Sequence, residues 1–409
     1  MKRLAFLSAA FALALVGTAN AQLSMQMNNG WNFTFSGNVN AFLVYEAENE
    51  DGELGPVDNP ILVGNSGEDI TRIRTGLLPA FAVFEAKGRE GSTDLGVTFG
   101  FAPQIQCGDN GDGGVAHDCL AQIDMRQVFM TVGGGWGTLK FGRDIGVFNR
   151  TNILTDQTLY GIGATGGQVS GGTTLGRIGF GYVYPNFVPQ LTFSTAGGKS
   201  AQLTIGLFDP SANNEYITTT IPRLETEFVW TNDQTKIWVG GLLQSTKTPE
   251  TFIPTGAETA TSYGLSGGVK FGTEKFSVLG SGFFGSGIGT TLLFDVATDG
   301  TGQGSDGLRD SYGFIGQATV ALGSGTLAAS YGQNTISLTN DEADVEGFED
   351  LTNSLISFGY YHQATKSLKI VGEVDLARTS VGGVDEGIFG PEPEDNSSVA
   401  VALGMLLLF

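Results

Sequence analysis

The sequence predicts an all-β protein, a closed antiparallel barrel that crosses a membrane, from its composition, its long alternating segments and the spacing between them. Glycine supplies 63 of the 409 residues, and only 15% of the residues are charged. Glycine is a poor helix former, and globular domains average about 25% charged residues. This composition therefore excludes an ordinary helical enzyme. The formal net charge of −21 argues against nucleic acid as a partner, because nucleic acid attracts lysine and arginine.

Residues 1–21 are predicted to be a secretory signal peptide, and residues 22–409 a single barrel domain. Lys2 and Arg3 form a basic start, an apolar stretch follows, and small residues at Ala21 and two positions before it suit a signal peptidase. The alternative, a membrane-spanning helix, needs about 20 apolar residues, and the apolar stretch is shorter than that.

Residues 31–45 show the strand pattern most clearly. One face carries Trp31, Phe33 and the apolar residues that alternate after them, and the other face carries mainly Asn, Thr and Ser. A run of this length exceeds the usual strand of about 5–6 residues and suits a tilted strand that crosses a bilayer. The same reasoning predicts 16 strands, near 31–45, 69–87, 95–101, 121–133, 136–145, 177–184, 200–209, 222–231, 236–248, 261–273, 274–290, 308–323, 325–339, 353–365, 368–383 and 399–409. Two prolines leave the register of 185–199 open, and an error there changes the number to 14 or 18.

Connections between the predicted strands alternate between short turns and long loops. An even number of strands places both termini at the turn end, as in outer-membrane barrels. The long loops are predicted at 46–68, 105–120, 146–176, 291–307, 340–352 and 384–396. A large exported sandwich or solenoid, with its apolar faces packed in a dry core, remains the alternative.

Residues 126–146 resemble the strand–turn–strand of Gram-negative general porins. The resemblance rests on Gly135-Trp136-Gly137, followed by a short strand that ends in Phe141-Gly142-Arg143. It implies a homotrimer of 16-stranded barrels in the outer membrane, in contact with lipid and lipopolysaccharide. The turns would be periplasmic and the long loops extracellular, with one aqueous pore per subunit. Phe409 resembles the terminal aromatic residue that the barrel-insertion machinery recognises. It is also expected to be the last lipid-facing residue, and the two roles are compatible.

The resemblance also implies that the third long loop, here 146–176, folds into the lumen and faces a ladder of basic residues. A plain mobile external loop is the alternative. The predicted ladder consists of Arg72, Arg74, Arg126 and Arg177, and the predicted loop and nearby residues are Asp156, Arg150, Lys140 and Asp124. An arginine at the midplane of the lipid face costs about 2–4 kcal/mol, which favours the lumen over lipid; some of these residues could instead lie at the rim.

Ion preference stays open at this point. The third loop contains a single acidic residue, which favours anions at the narrowest part of the pore. The acidic loops 46–69, 341–350 and 385–395 favour cations at the mouth.

Cys107 and Cys119 are predicted to form a disulfide, because export leads to an oxidising compartment. Closing this loop would contribute about 3 kcal/mol. A metal pair with His117, or free thiols, are the alternatives. No metal site or cofactor is predicted, since the acidic loops are more typical of a solvated surface than of a Ca²⁺ or Mg²⁺ site.

The predicted function is passive diffusion of ions and small hydrophilic solutes through a water-filled pore. An enzyme is not expected, because His117 and His362 are the only histidines and no G-x-S-x-G pattern occurs. A substrate-specific channel for sugars, phosphate or organic acids and a non-conducting adhesin barrel are the alternatives.

Overall fold

A computed structural model describes residues 23–27, 30–48, 69–105, 123–166, 173–196, 200–211, 217–218, 221–247, 259–294, 308–338, 343, 349–383 and 395–409. The predicted signal peptide, the predicted disulfide between Cys107 and Cys119, and most residues of the acidic loops lie outside this part of the chain. Among the described helices, none is long and apolar enough to cross a membrane.

The described residues form one sheet of 19 strands. In chain order these are β1 (Leu23–Gln26), β2 (Asn32–Glu48), β3 (Ile70–Arg74), β4 (Phe81–Glu90), β5 (Thr93–Pro103), β6 (Ile123–Gly134), β7 (Gly137–Ile145), β8 (Phe187–Thr195), β9 (Ala201–Phe208), β10 (Ile217–Thr218), β11 (Arg223–Thr231), β12 (Thr235–Lys247), β13 (Thr259–Gly272), β14 (Phe276–Ser286), β15 (Asp310–Leu322), β16 (Gly325–Ser337), β17 (Asp350–Gln363), β18 (Leu368–Gly382) and β19 (Asn396–Leu408).

The sheet closes because β19 pairs with β2. Strands β3 and β4 both pair with β2 and together fill one position in the barrel. Strand β10 extends the position of β11 along β12, and β1 continues the position of β19 along β2. The barrel therefore has 16 antiparallel strand positions, which confirms the predicted fold class.

The two faces of each strand differ as the alternation predicts. On β2, Val39 and Leu43 are exposed on the outside, whereas Asn38 and Asn40 are buried on the inside. On β19, Leu403 is 64% exposed while its neighbour Ala402 is buried. The outer face is thus apolar and the inner face largely polar or small, as in a barrel that stands in lipid.

The predicted sixth strand, 177–184, is wrong. Strand β8 (Phe187–Thr195) takes this position, and the third long connection continues to residue 186 instead of ending at 176. The alternating Ile178, Phe180 and Tyr182 are buried inside the barrel. A lipid-facing strand face and a packed interior have the same apolar pattern, so alternation alone did not separate them. The number of strands is unchanged because β8 lies in the stretch whose register was open.

Six short turns among the described residues lie at one end of the barrel, which is here called the turn end, together with Phe409. Phe409 exchanges backbone hydrogen bonds with Gly37 at 2.8 and 3.0 Å, and its ring lies 5.3 Å from that of Phe35.

Candidate functional site

The connection between β7 and β8 comprises residues 146–186 and is here called the lumen segment. Its described residues, 146–166 and 173–186, run inside the barrel. It contains helix α1 (Arg150–Thr155) and a 3₁₀ turn (Gln157–Tyr160). Its described residues contact inward-facing side chains on strands around the barrel. These wall side chains are Glu46 of β2, Glu225 and Glu227 of β11, Gln317 of β15, Ser330 of β16 and Glu373 of β18. The lumen segment thus narrows the cross-section of the barrel.

Two carboxylates on β11 hold the beginning of the lumen segment. Glu225 accepts the backbone amides of Val147 at 2.6 Å and Phe148 at 2.9 Å. Glu227 accepts the amide of Thr151 at 3.1 Å and pairs with the guanidinium of Arg150 at 2.5 Å. These charged hydrogen bonds fix the first turn of α1 to the wall.

A third carboxylate, Glu373 on β18, holds the middle of the lumen segment. It accepts the amides of Ile162 at 2.8 Å and Gly163 at 2.6 Å, and the hydroxyl of Tyr361 at 2.5 Å. Sequence reasoning missed these wall acids, although a signal existed. Glu225 and Glu227 share one parity in a predicted strand and oppose the apolar Phe228, so both face inward.

Two parts of the lumen segment come into backbone contact at Gly163 and Gly176, which form a β-bridge. Both have positive φ, of 54° and 58°, a conformation that glycine adopts without the steric cost of a Cβ. A Cβ on Gly163 would lie 2.5 Å from the Cα of Gly176. Glycine is therefore required at these two positions for the chain to make this close contact.

Arg177 does not lie on the wall, contrary to the predicted ladder. It belongs to the lumen segment, its side chain is 0% exposed, and its Nε lies 3.6 Å from Oδ1 of Asp156. The guanidinium donates to the carbonyls of Leu355 at 2.9 Å and Ser330 at 3.1 Å. Burial raises the pKa of Asp156, while the charge of Arg177 opposes that rise. This pair joins the lumen segment to β16 and β17 instead of facing a passing solute.

Arg126 and Asp124 do face the lumen, on β6. Arg126 is the extra residue of a β-bulge, since Gly100 pairs with Gln127 and Phe101 with Met125. Its Nε donates to Asp124 at 2.7 Å, and Nη1 donates to Tyr184 at 3.3 Å. The side chain of Arg126 is 19% exposed and that of Asp124 44%. They are accessible to a solute in a way that Arg177 and Asp156 are not.

The remaining predicted residues also lie on inward faces. Lys140 pairs with Asp144 on β7, and Arg150 with Glu227 as described. Arg72 and Arg74 are paired across from Val44 and Phe42 of β2, on the face that the alternation predicts. Arg74 is buried and donates to the carbonyl of Thr173 at 3.3 Å.

One cavity lies beside the lumen segment, and a second lies at the turn end of the barrel. One, of about 150 Å³, is mostly apolar and lies between the lumen segment and the wall, with Phe81, Leu154, Leu159 and Ile178 on its sides and Arg126 and Tyr184 as polar groups. The other, of about 960 Å³, lies at the turn end of β11–β16 and contains Lys236 and Lys270.

Comparison with known proteins gives a family and a fold. The sequence profile of Gram-negative porins matches residues 8–382. No curated protein matches the chain.

Three solved structures illustrate the likeness in fold. The outer membrane channel DcaP of Acinetobacter baumannii is 13% identical, with a TM-score of 0.67 over 94% of this chain and 99% of that one. An anion-selective porin from Comamonas acidovorans is also 13% identical, with a TM-score of 0.61 over 93% and 100%. The OmpT outer-membrane protein of Vibrio cholerae is 13% identical, with a TM-score of 0.59 over 95% of this chain and 100% of that one.

Proposed function

The chain belongs to the Gram-negative porin family, and we propose that it forms a water-filled channel in the outer membrane for passive diffusion of ions and small hydrophilic solutes. The observation that carries the proposal is a lumen segment held inside a closed barrel beside accessible charged groups. Arg126 and Asp124 are the clearest of these groups. Such an arrangement limits the size of solutes and sorts them by charge without covalent chemistry.

The constriction in this proposal lies between the lumen segment and the wall of β4–β7. The wall contributes Arg126, Asp124 and Lys140, and the lumen segment contributes Tyr184. The wall carboxylates that hold the lumen segment keep this passage at a fixed width, because each accepts two or more hydrogen bonds.

Planar-bilayer recording with the purified protein tests the proposal. We expect stepwise openings in potassium chloride solution. Steps that arrive in groups of three support a homotrimer, the assembly expected from the resemblance to general porins. Absence of any conductance from folded protein contradicts the channel and favours the adhesin alternative.

A channel for organic acids is a second candidate, favoured by the cavity of about 150 Å³. Its apolar sides suit a hydrocarbon body, and the guanidinium of Arg126 suits a carboxylate. Liposome swelling separates the candidates: general diffusion depends on solute size, whereas a specific channel admits aliphatic carboxylates faster than sugars of equal size.

A further inference from the structure

Two lysines stand side by side on the inner face of the barrel, near the turn end. Lys236 of β12 is the direct cross-strand partner of Lys270 of β13. Their outward neighbours Ile237, Val269 and Phe271 are exposed on the lipid face. Alternation therefore points both ammonium groups into the lumen.

Such a pair is unfavourable by itself. Directly opposed residues in an antiparallel sheet have Cβ atoms about 4.5–5.5 Å apart, and like charges at this spacing repel. Within the part of the chain that the structure describes, neither ammonium has an ion pair or a hydrogen bond to protein. Glu227, the wall acid on the adjacent strand β11, is paired with Arg150. Glu227 attracts Lys236 at longer range, but no described carboxylate forms a direct ion pair with either lysine, so the repulsion is compensated only in part.

The space in front of the two lysines is large enough for a ligand. The cavity of about 960 Å³ also exposes the hydroxyl-bearing side chains of Ser277, Thr319 and Thr326 from β14, β15 and β16. Ser277 and Thr319 already share a hydrogen bond of 2.7 Å. Asp233, Glu274 and Lys275 line the cavity from the turns, where they are exposed.

Trp238 lies beside the lysine pair, buried on the same inner face and two residues beyond Lys236 along β12. Its indole covers Gly268, where a Cβ would lie 2.3 Å from Cζ2 of the ring. Its Nε1 donates to Asn152 of helix α1 at 2.5 Å. Trp238 therefore joins the wall next to the lysine pair to α1, whereas the cavity itself is lined by residues of the turns and the adjoining strand ends.

We propose that Lys236 and Lys270 form a binding site for a small oxyanion, a carboxylate or phosphate, at the turn-end mouth of the lumen. One anion between the two ammonium groups removes their repulsion and accepts charged hydrogen bonds from both. The hydroxyl groups across β14–β16 supply further donors beside it. This inference rests on the proposed channel, in which the site concentrates anions at one mouth and raises anion over cation permeability.

The test compares the Lys236→Gln/Lys270→Gln double variant with the parent protein in planar bilayers. Inorganic phosphate is the probe, added on each side in turn, and reversal potentials are read in a potassium chloride gradient. We expect the phosphate concentration for half-maximal block to rise about tenfold or more, as the loss of charged hydrogen bonds implies. The chloride-to-potassium permeability ratio should fall at the same time.

Two control variants make the result specific. Lys366→Gln removes one positive charge from an exposed turn at the same end but outside the cavity, and should leave phosphate block unchanged. The Lys236→Arg/Lys270→Arg variant keeps both positive charges and should retain block by phosphate. A parent channel that conducts but is not blocked by phosphate, or a double variant with parental block and permeability ratio, overturns the anion site and leaves the channel proposal standing. A parent protein that does not conduct overturns the channel itself.

Discussion

Arg150 at the start of helix α1 and Glu227 on strand β11 form an ion pair of 2.5 Å between Nη2 and Oε2. The side chain of Glu227 is only 3% exposed, so the pair is poorly screened by solvent. It places an acid on the wall and a base on the lumen segment. The resemblance to general porins implies the reverse arrangement, with basic residues on the wall and acidic residues on the loop. The wall acids of this chain therefore fasten the lumen segment. In the proposed channel, the charges that sort solutes have to come from other groups.

Glu227→Gln should loosen the start of the lumen segment. It leaves Arg150 without its charged partner, and a charged hydrogen bond contributes about 1.5–3 kcal/mol. We expect noisier single-channel currents and faster proteolytic cleavage within 146–186. Glu90→Gln, which removes the same charge from an exposed position at the end of β4 and outside the turn-end cavity, is the matched control. Equal noise and equal cleavage in both variants would show that Glu227 does not hold the segment.

Arg126→Glu should shift the reversal potential towards cation preference, because it reverses a charge that is accessible inside the lumen. Arg143→Glu makes the same change on β7, where Arg143 pairs with Val128 and is exposed on the outer side of the barrel. We expect a severalfold change in permeability ratio for the first variant and little change for the second. Similar shifts in both variants would place the charge-sorting region outside the lumen.

Arg177→Gln should affect stability more than selectivity. Asp156 would remain buried without its cation, and breaking a buried pair in this way costs about 3–5 kcal/mol. Unfolding in urea, followed by tryptophan fluorescence in detergent, measures the loss. Asp156→Asn alone and the double variant complete a mutant cycle. The double variant should be more stable than Arg177→Gln, and strictly additive losses would mean that the two side chains do not interact.

The barrel was predictable because lipid imposes a strict period of two on every strand. Leu403 and Ala402 illustrate it, since one is exposed and its neighbour buried, over the whole of β19. The inward direction of Arg72 and Arg74 followed from the same rule, whereas that of Arg126 depends on the β-bulge at this position, which alternation does not predict.

The lumen segment was less predictable, for two physical reasons. Ile178, Phe180 and Tyr182 alternate like the residues of a lipid-facing strand, but they pack inside the barrel. A single sequence does not show whether an apolar side chain contacts lipid or other protein side chains. The acids Glu225, Glu227 and Glu373 had an inward parity, yet their partners are backbone amides more than 70 residues away along the chain. No local pattern encodes such contacts.

Phe409→Ala should reduce assembly in the outer membrane more than it reduces stability. The predicted role of Phe409 is recognition by the insertion machinery, whereas the backbone bonds between residue 409 and Gly37 do not need its ring. We expect less folded protein in the outer membrane of expressing cells, with nearly normal folding from urea into detergent. Leu407→Ala is the control, since Leu407 faces outward two residues earlier and is 49% exposed. If both variants show the same decrease in folded outer-membrane protein and the same decrease in folding yield in detergent, Phe409 contributes only packing against Phe35, where β19 closes the barrel on β2.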